Sequence, residues 1–106
     1  MKILFDANVP RPLRRELAGQ NIVTAQGMGW GELRNGDLLR AAEEAGFDVL
    51  MTADQNLRYQ QNLAARKMAL LILPSNHLSV LRPLVPAILS TLATIQPGAF
   101  VEIPRA

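Results

Sequence analysis

Two aspartates stand at places where a carboxylate can do chemistry. Asp6 follows the apolar run Ile3-Leu4-Phe5, and Asp54 lies just past Val49-Leu50-Met51-Thr52. In an open parallel sheet, sites form outside the carboxyl ends of the strands, near the point where strand order reverses. Ser75 and Asn76 follow a further apolar run, Met68 to Leu73, and fall at the same predicted edge. Two carboxylates at one edge repel each other and lose hydration, and a cation between them relieves both costs. The chain has no cysteine and one histidine, so oxygen must dominate the ligand set of any ion. Mg²⁺ or Mn²⁺ is the cation class that such ligands suit. Capping is the alternative, because acidic residues favour helix N-termini on dipole grounds alone. Spacing leaves both readings open.

Several other residues are candidates by position. Asp37 falls in the first turn of a predicted helix, where dipole stabilisation would also account for it. Glu32 lies in the preceding loop and is expected in water. Trp30 stands between Gly29 and Gly31 and either stacks on a base or covers the core. His77 has no partner motif and is read as incidental. Arg11, Arg14, Arg34 and Arg58 flank the predicted edge and are the candidate phosphate contacts, with Asn8, Ser75 and Asn76 as neutral substrate contacts. Arginine suits that task because its planar fork donates two parallel hydrogen bonds. Nine of the eleven basic residues are arginine, and the sequence pI is about 9.7 although the net charge is only +2.

The elements that must position these residues alternate along the chain. Strands are predicted at residues 2–5, 21–25, 48–52, 68–73 and 100–103, the last an edge strand. The first helix is expected from Asn8 as N-cap to Gly19, with Val9, Leu13 and Leu17 on its inner face. A glycine-rich loop, Gln26 to Arg34, leads to a second helix over 36–45, capped by Asn35 and stopped by Gly46. A polar helix is expected around 57–66, and another from Pro83 to Thr94. The order β-α-β-α-β-α-β-α-β predicts a three-layer α/β/α domain around a mainly parallel sheet of about five strands.

The bulk numbers fit one domain over residues 1–106. Hydrophobic residues make up 49% of the chain and charged residues 19%, which supports a core and argues against disorder. Without cysteine there are no disulfides, as expected in a reducing compartment. The apolar run in MKILFDANVP is too short for a signal sequence or a membrane span, so a cytoplasmic protein is expected. The apolar stretch from Leu78 to Ile95 could serve a homodimer.

The opening MKILFDANVPRPLRRELAG resembles the start of the compact PIN-like domains (the DUF5615 group), related to PIN-domain ribonucleases of the toxin–antitoxin type. The family's first strand typically ends in Leu-Asp-Glu-Asn before a proline. The likeness continues at Gly36-Asp37-Leu38-Leu39. It continues again at Leu50-Met51-Thr52-Ala53-Asp54-Gln55-Asn56-Leu57, which is similar to the family's Thr-x-Asp-x-Asp-Phe. Leu70 to Leu73 and Leu84 to Leu89 also fit. Each motif is short, and their shared order carries the resemblance over nearly the whole chain.

The resemblance implies a PIN-like fold and a Mg²⁺-dependent (or Mn²⁺-dependent) endoribonuclease. Asp6, Asp37 and Asp54 would form the acidic cluster, with Asn56 as a further metal ligand. In such sites the metal activates a water for in-line attack on a phosphodiester. Single-stranded or looped RNA would be the substrate, and a small antitoxin protein the partner. The chain departs from the pattern at Ala7, where the family has glutamate, and at Asn56, where it has a second aspartate. Both changes remove charge, and fewer carboxylates mean weaker binding of a hard cation. A module of the same fold that binds RNA or protein without cleaving is therefore the second reading. A receiver-type phosphoacceptor is the third, although the acidic pair expected after strand one and the lysine after the last strand are missing.

Overall fold

The computed structural model describes residues 1–57 and 67–105. The strands are β1 (Lys2–Phe5), β2 (Asn21–Thr24), β3 (Val49–Thr52), β4 (Ala69–Ile72) and β5 (Phe100–Glu102). They form one sheet in the order β2-β1-β3-β4-β5. All four pairings are parallel. Parallel neighbours need crossovers, and those described carry helices α1 (Leu13–Glu16), α2 (Asn35–Glu44), α3 (Leu78–Leu81) and α4 (Val85–Thr94). The predicted helix over 57–66 falls largely outside the described residues.

Strand residues alternate between two cores, as the period of two requires. Ile3 and Phe5 of β1, Val49 and Met51 of β3, and Ala69 and Leu71 of β4 pack with Leu13 and Leu17 on one face. Leu81, Leu84, Ile88 and Leu92 from the α3–α4 region complete that core. Leu4, Leu50, Leu70 and Ile72 face the other way, against Leu38, Leu39 and Ala42 of α2. Helices therefore cover both faces, and the sheet is the middle of three layers. β3 and β4 are buried along their whole length, which explains why they read as continuous apolar runs.

Three elements differ from the expectation. The first helix is a single turn, Leu13–Glu16, entered through Pro10 and Pro12. The amides of Leu13, Arg14 and Arg15 bond three residues back, to the carbonyls of Pro10, Arg11 and Pro12. Two prolines in three positions remove two amide donors, so a regular helix cannot start at Asn8. The last helical region begins earlier than Pro83, at Leu78, and tightens into a 3-10 turn over Arg82–Leu84 before α4. Pro83 and Pro86 again account for the break, because neither can donate to the carbonyl four residues back. The second helix starts at Asn35 itself, with Arg34 in the N-cap position. Its end is as expected: Gly46 has φ +83°, and the amides of Gly46 and Phe47 return to the carbonyls of Glu43 and Ala42.

No helix among the described residues is long and apolar enough to cross a membrane.

Candidate functional site

β1 and β3 are hydrogen-bonded neighbours, so their carboxyl ends open side by side. The amide of Asp6 extends this pairing by donating to the carbonyl of Met51 at 2.9 Å. The order β2-β1-β3-β4-β5 reverses direction between β1 and β3, which is where the crevice of a doubly wound sheet lies. Asp6 and Asp54 both line a cleft of about 390 Å³ at this point, with Ala7, Asn8, Gly31, Leu33 and Arg34. The β2–α2 loop thus forms the wall facing the two carboxylates. Gln26 ties that loop to the β1 exit, donating from Nε2 to the carbonyl of Ala7 at 3.4 Å.

Thr52 organises the floor. It is the last residue of β3 and is fully buried. Its hydroxyl donates to Asp6 Oδ2 at 2.8 Å and accepts from the Asp54 amide at 3.1 Å. Asn8 donates from Nδ2 to the same hydroxyl at 3.3 Å, and its Oδ1 accepts from the Ala53 amide at 3.0 Å. Asn8 therefore binds the β1 exit to the β3 exit, and does not cap a helix. Both of its side-chain polar groups take partners within the protein, and the residue is also exposed and lines the cleft, where the sequence cast it as a substrate contact.

Asp6 Oδ1 accepts from the Ala7 amide at 2.7 Å. Each Asp6 oxygen thus takes one hydrogen bond and, as a carboxylate, retains capacity for another ligand. Asp54 is half-buried, and its Oδ1 accepts from the Asn56 amide at 3.0 Å, forming a turn at the β3 exit. These are local turn bonds that leave both carboxylates on the cleft; α1 carries no side-chain cap bond, and the helix expected after Asp54 lies largely outside the described residues.

The remaining candidates separate from this group. Asp37 does not line the cleft; its Oδ1 lies 3.4 Å from Arg40 Nη1, and both side chains are exposed. Asn56 is exposed and also outside the lining. Ser75 is nearly buried and its Oγ accepts from the His77 amide at 3.0 Å, while Asn76 is exposed. Neither Ser75 nor Asn76 lines the cleft. Arg11 and Arg14 are exposed beside and on α1, away from the lining. Arg58 lies outside the described residues. Among the described residues, no group of three or more histidine, aspartate or glutamate side chains converges as a metal site.

Trp30 is half-buried and meets Phe47 edge to face, with ring centroids 6.1 Å apart. It covers the α2-side core. Sequence reasoning missed Thr52, Gln26 and the lining by Gly31 and Leu33. Only Thr52 left a signal: a hydroxyl closing an otherwise apolar strand must find a partner when buried.

No family model, curated protein or solved structure matches this chain.

Proposed function

We propose that the protein is a divalent-cation-dependent endoribonuclease whose cation, Mg²⁺ or Mn²⁺, is held by Asp6 and Asp54. One observation carries the reading. Both carboxylates line a single cleft at the switch point of the sheet, and one of them is braced by a buried hydroxyl. The donor set fits the ion: Mg²⁺ is commonly bound through one or two carboxylates, with waters and substrate phosphate completing its shell. Bound there, the cation would supply Lewis-acid charge for hydrolysis of a phosphodiester.

The chain's own contribution is orientation. Thr52 holds Asp6 through Oδ2, and the Asp54 amide is fixed by the same hydroxyl. Asn8 keeps the two exits together. A site held in this way loses little to reorganisation when charge develops. The resemblance to PIN-like toxins adds single-stranded or looped RNA as substrate and a small antitoxin as regulator. Asp37, paired with Arg40, has no first-order part in this scheme.

Purified protein incubated with a mixed RNA pool and Mn²⁺ or Mg²⁺ tests the proposal. Cleavage that disappears with a chelator, and in Asp6→Asn and Asp54→Asn, is the expected result. Intact RNA under every condition overturns it.

A second reading is favoured by the small number of carboxylates on the cleft. With Asp6 and Asp54 the only carboxylates there among the described residues, the second reading is a fold that binds RNA without cleaving it. RNA binding that survives Asp54→Asn, with no cleavage by the wild type, would select that reading.

A further inference from the structure

We infer that Arg34 is the side chain that receives an RNA phosphate in the Asp6–Asp54 cleft. The inference rests on the cleft being an RNA site, as proposed above. Arg34 lines the cleft together with both carboxylates and, among the described residues, is the one cationic residue in that lining. Its backbone is extended, with φ −131° and ψ 149°, at the N-cap of α2. Its carbonyl accepts from the amides of Asp37 at 3.1 Å and Leu38 at 3.4 Å. The base of the side chain is therefore anchored to a ten-residue helix packed on the sheet.

The guanidinium itself is exposed and, among the described residues, forms no ion pair. Two other arginines behave differently. Arg40 lies against Asp37, and Arg82 donates from Nε to Glu16 Oε2 at 2.9 Å. Arg34 shares a cleft with two carboxylates and pairs with neither. A free guanidinium presents a planar fork that matches two oxygens of one phosphate. A polyanion entering beside two carboxylates needs such compensation, and Arg34 is placed on the wall to provide it. Leu33 and Gly31 beside it carry no charge, so Arg34 is the group on this wall that meets a phosphate.

The test compares wild type, Arg34→Ala, Arg34→Lys and Arg82→Ala, each first shown to unfold at a comparable temperature. Binding of a short labelled oligouridylate is measured by anisotropy in chelator over a range of salt, and cleavage is measured with Mn²⁺. Arg34→Ala should weaken binding about tenfold or more. The slope of log affinity against log salt should become shallower by roughly 0.7, as for one lost phosphate contact to a single strand. In cleavage the loss should fall mainly on KM. Arg34→Lys should keep the salt slope but not the full affinity, because a point charge replaces a fork. Arg82→Ala should bind as wild type. Wild-type binding and KM in both Arg34 variants would overturn the inference and leave the nuclease proposal standing. Binding lost in Arg34→Ala, with no cleavage by any form, would keep the inference and overturn the nuclease. A wild type that neither binds nor cleaves RNA overturns both.

Discussion

The hydroxyl of Thr52 donates to Asp6 Oδ2 at 2.8 Å, joining the last residue of β3 to the first residue past β1. The bond spans two neighbouring parallel strands and is made by a fully buried donor. Its acceptor sits on the cleft, so a fully buried hydroxyl of the core sets the direction of a half-buried carboxylate.

Thr52→Val keeps the shape of the side chain and removes its hydroxyl. Asp6 then loses a donor, and the Asp54 amide loses its acceptor. Leaving such groups unpaired costs about 1–3 kcal/mol. Chemical denaturation should show a loss in that range, and RNA cleavage should fall further than stability alone explains. Thr52→Ser should restore most of both.

Asn8→Ala removes the clasp between the two exits. The freed Ala53 amide, with the loss of the Asn8 bond to a Thr52 hydroxyl that keeps its bonds to Asp6 and Asp54, should lower stability by about 1 kcal/mol. Because both polar groups of Asn8 are engaged internally, steady-state kinetics should show a reduced kcat with KM for RNA little changed. A large rise in KM alone would mean that Asn8 touches RNA directly.

Gly46→Ala tests the α2 terminus that leads into β3. At φ +83° an alanine methyl is strained by about 1–2 kcal/mol, although open space surrounds the position. Thermal unfolding should shift down accordingly, with RNA affinity of the folded protein unchanged.

The sheet was legible in the sequence because its strands are buried on both faces. Ala69 to Ile72 has no polar residue, and β1 carries only Lys2 at its open end. Helix α2 was legible from Leu38, Leu39 and Ala42 and from Gly46 at its end. The first and last helices were misread at their starts. In both, the prolines decide the start: Pro10, Pro12, Pro83 and Pro86 break the hydrogen-bond ladder and leave short turns ahead of regular helix. Asp6 and Asp54 could be placed together because strand ends in a parallel sheet share an edge. The separation of Asp37 from them could not be foreseen, since it depends on the path of the β2–α2 loop and on the contact with Arg40. The commitment of Asn8 to Thr52 and Ala53 was equally hidden, because a side chain that bridges two strands leaves no local sequence pattern.

The most direct test of the central claim is a Mn²⁺ titration followed by electron paramagnetic resonance, on wild type, Asp6→Asn, Asp54→Asn and Asp37→Asn. A cation held between Asp6 and Asp54 predicts saturable binding by the wild type, weakened about tenfold or more in each of the first two variants and retained in Asp37→Asn. Binding that is absent in the wild type, or that survives both Asp6→Asn and Asp54→Asn, would contradict it.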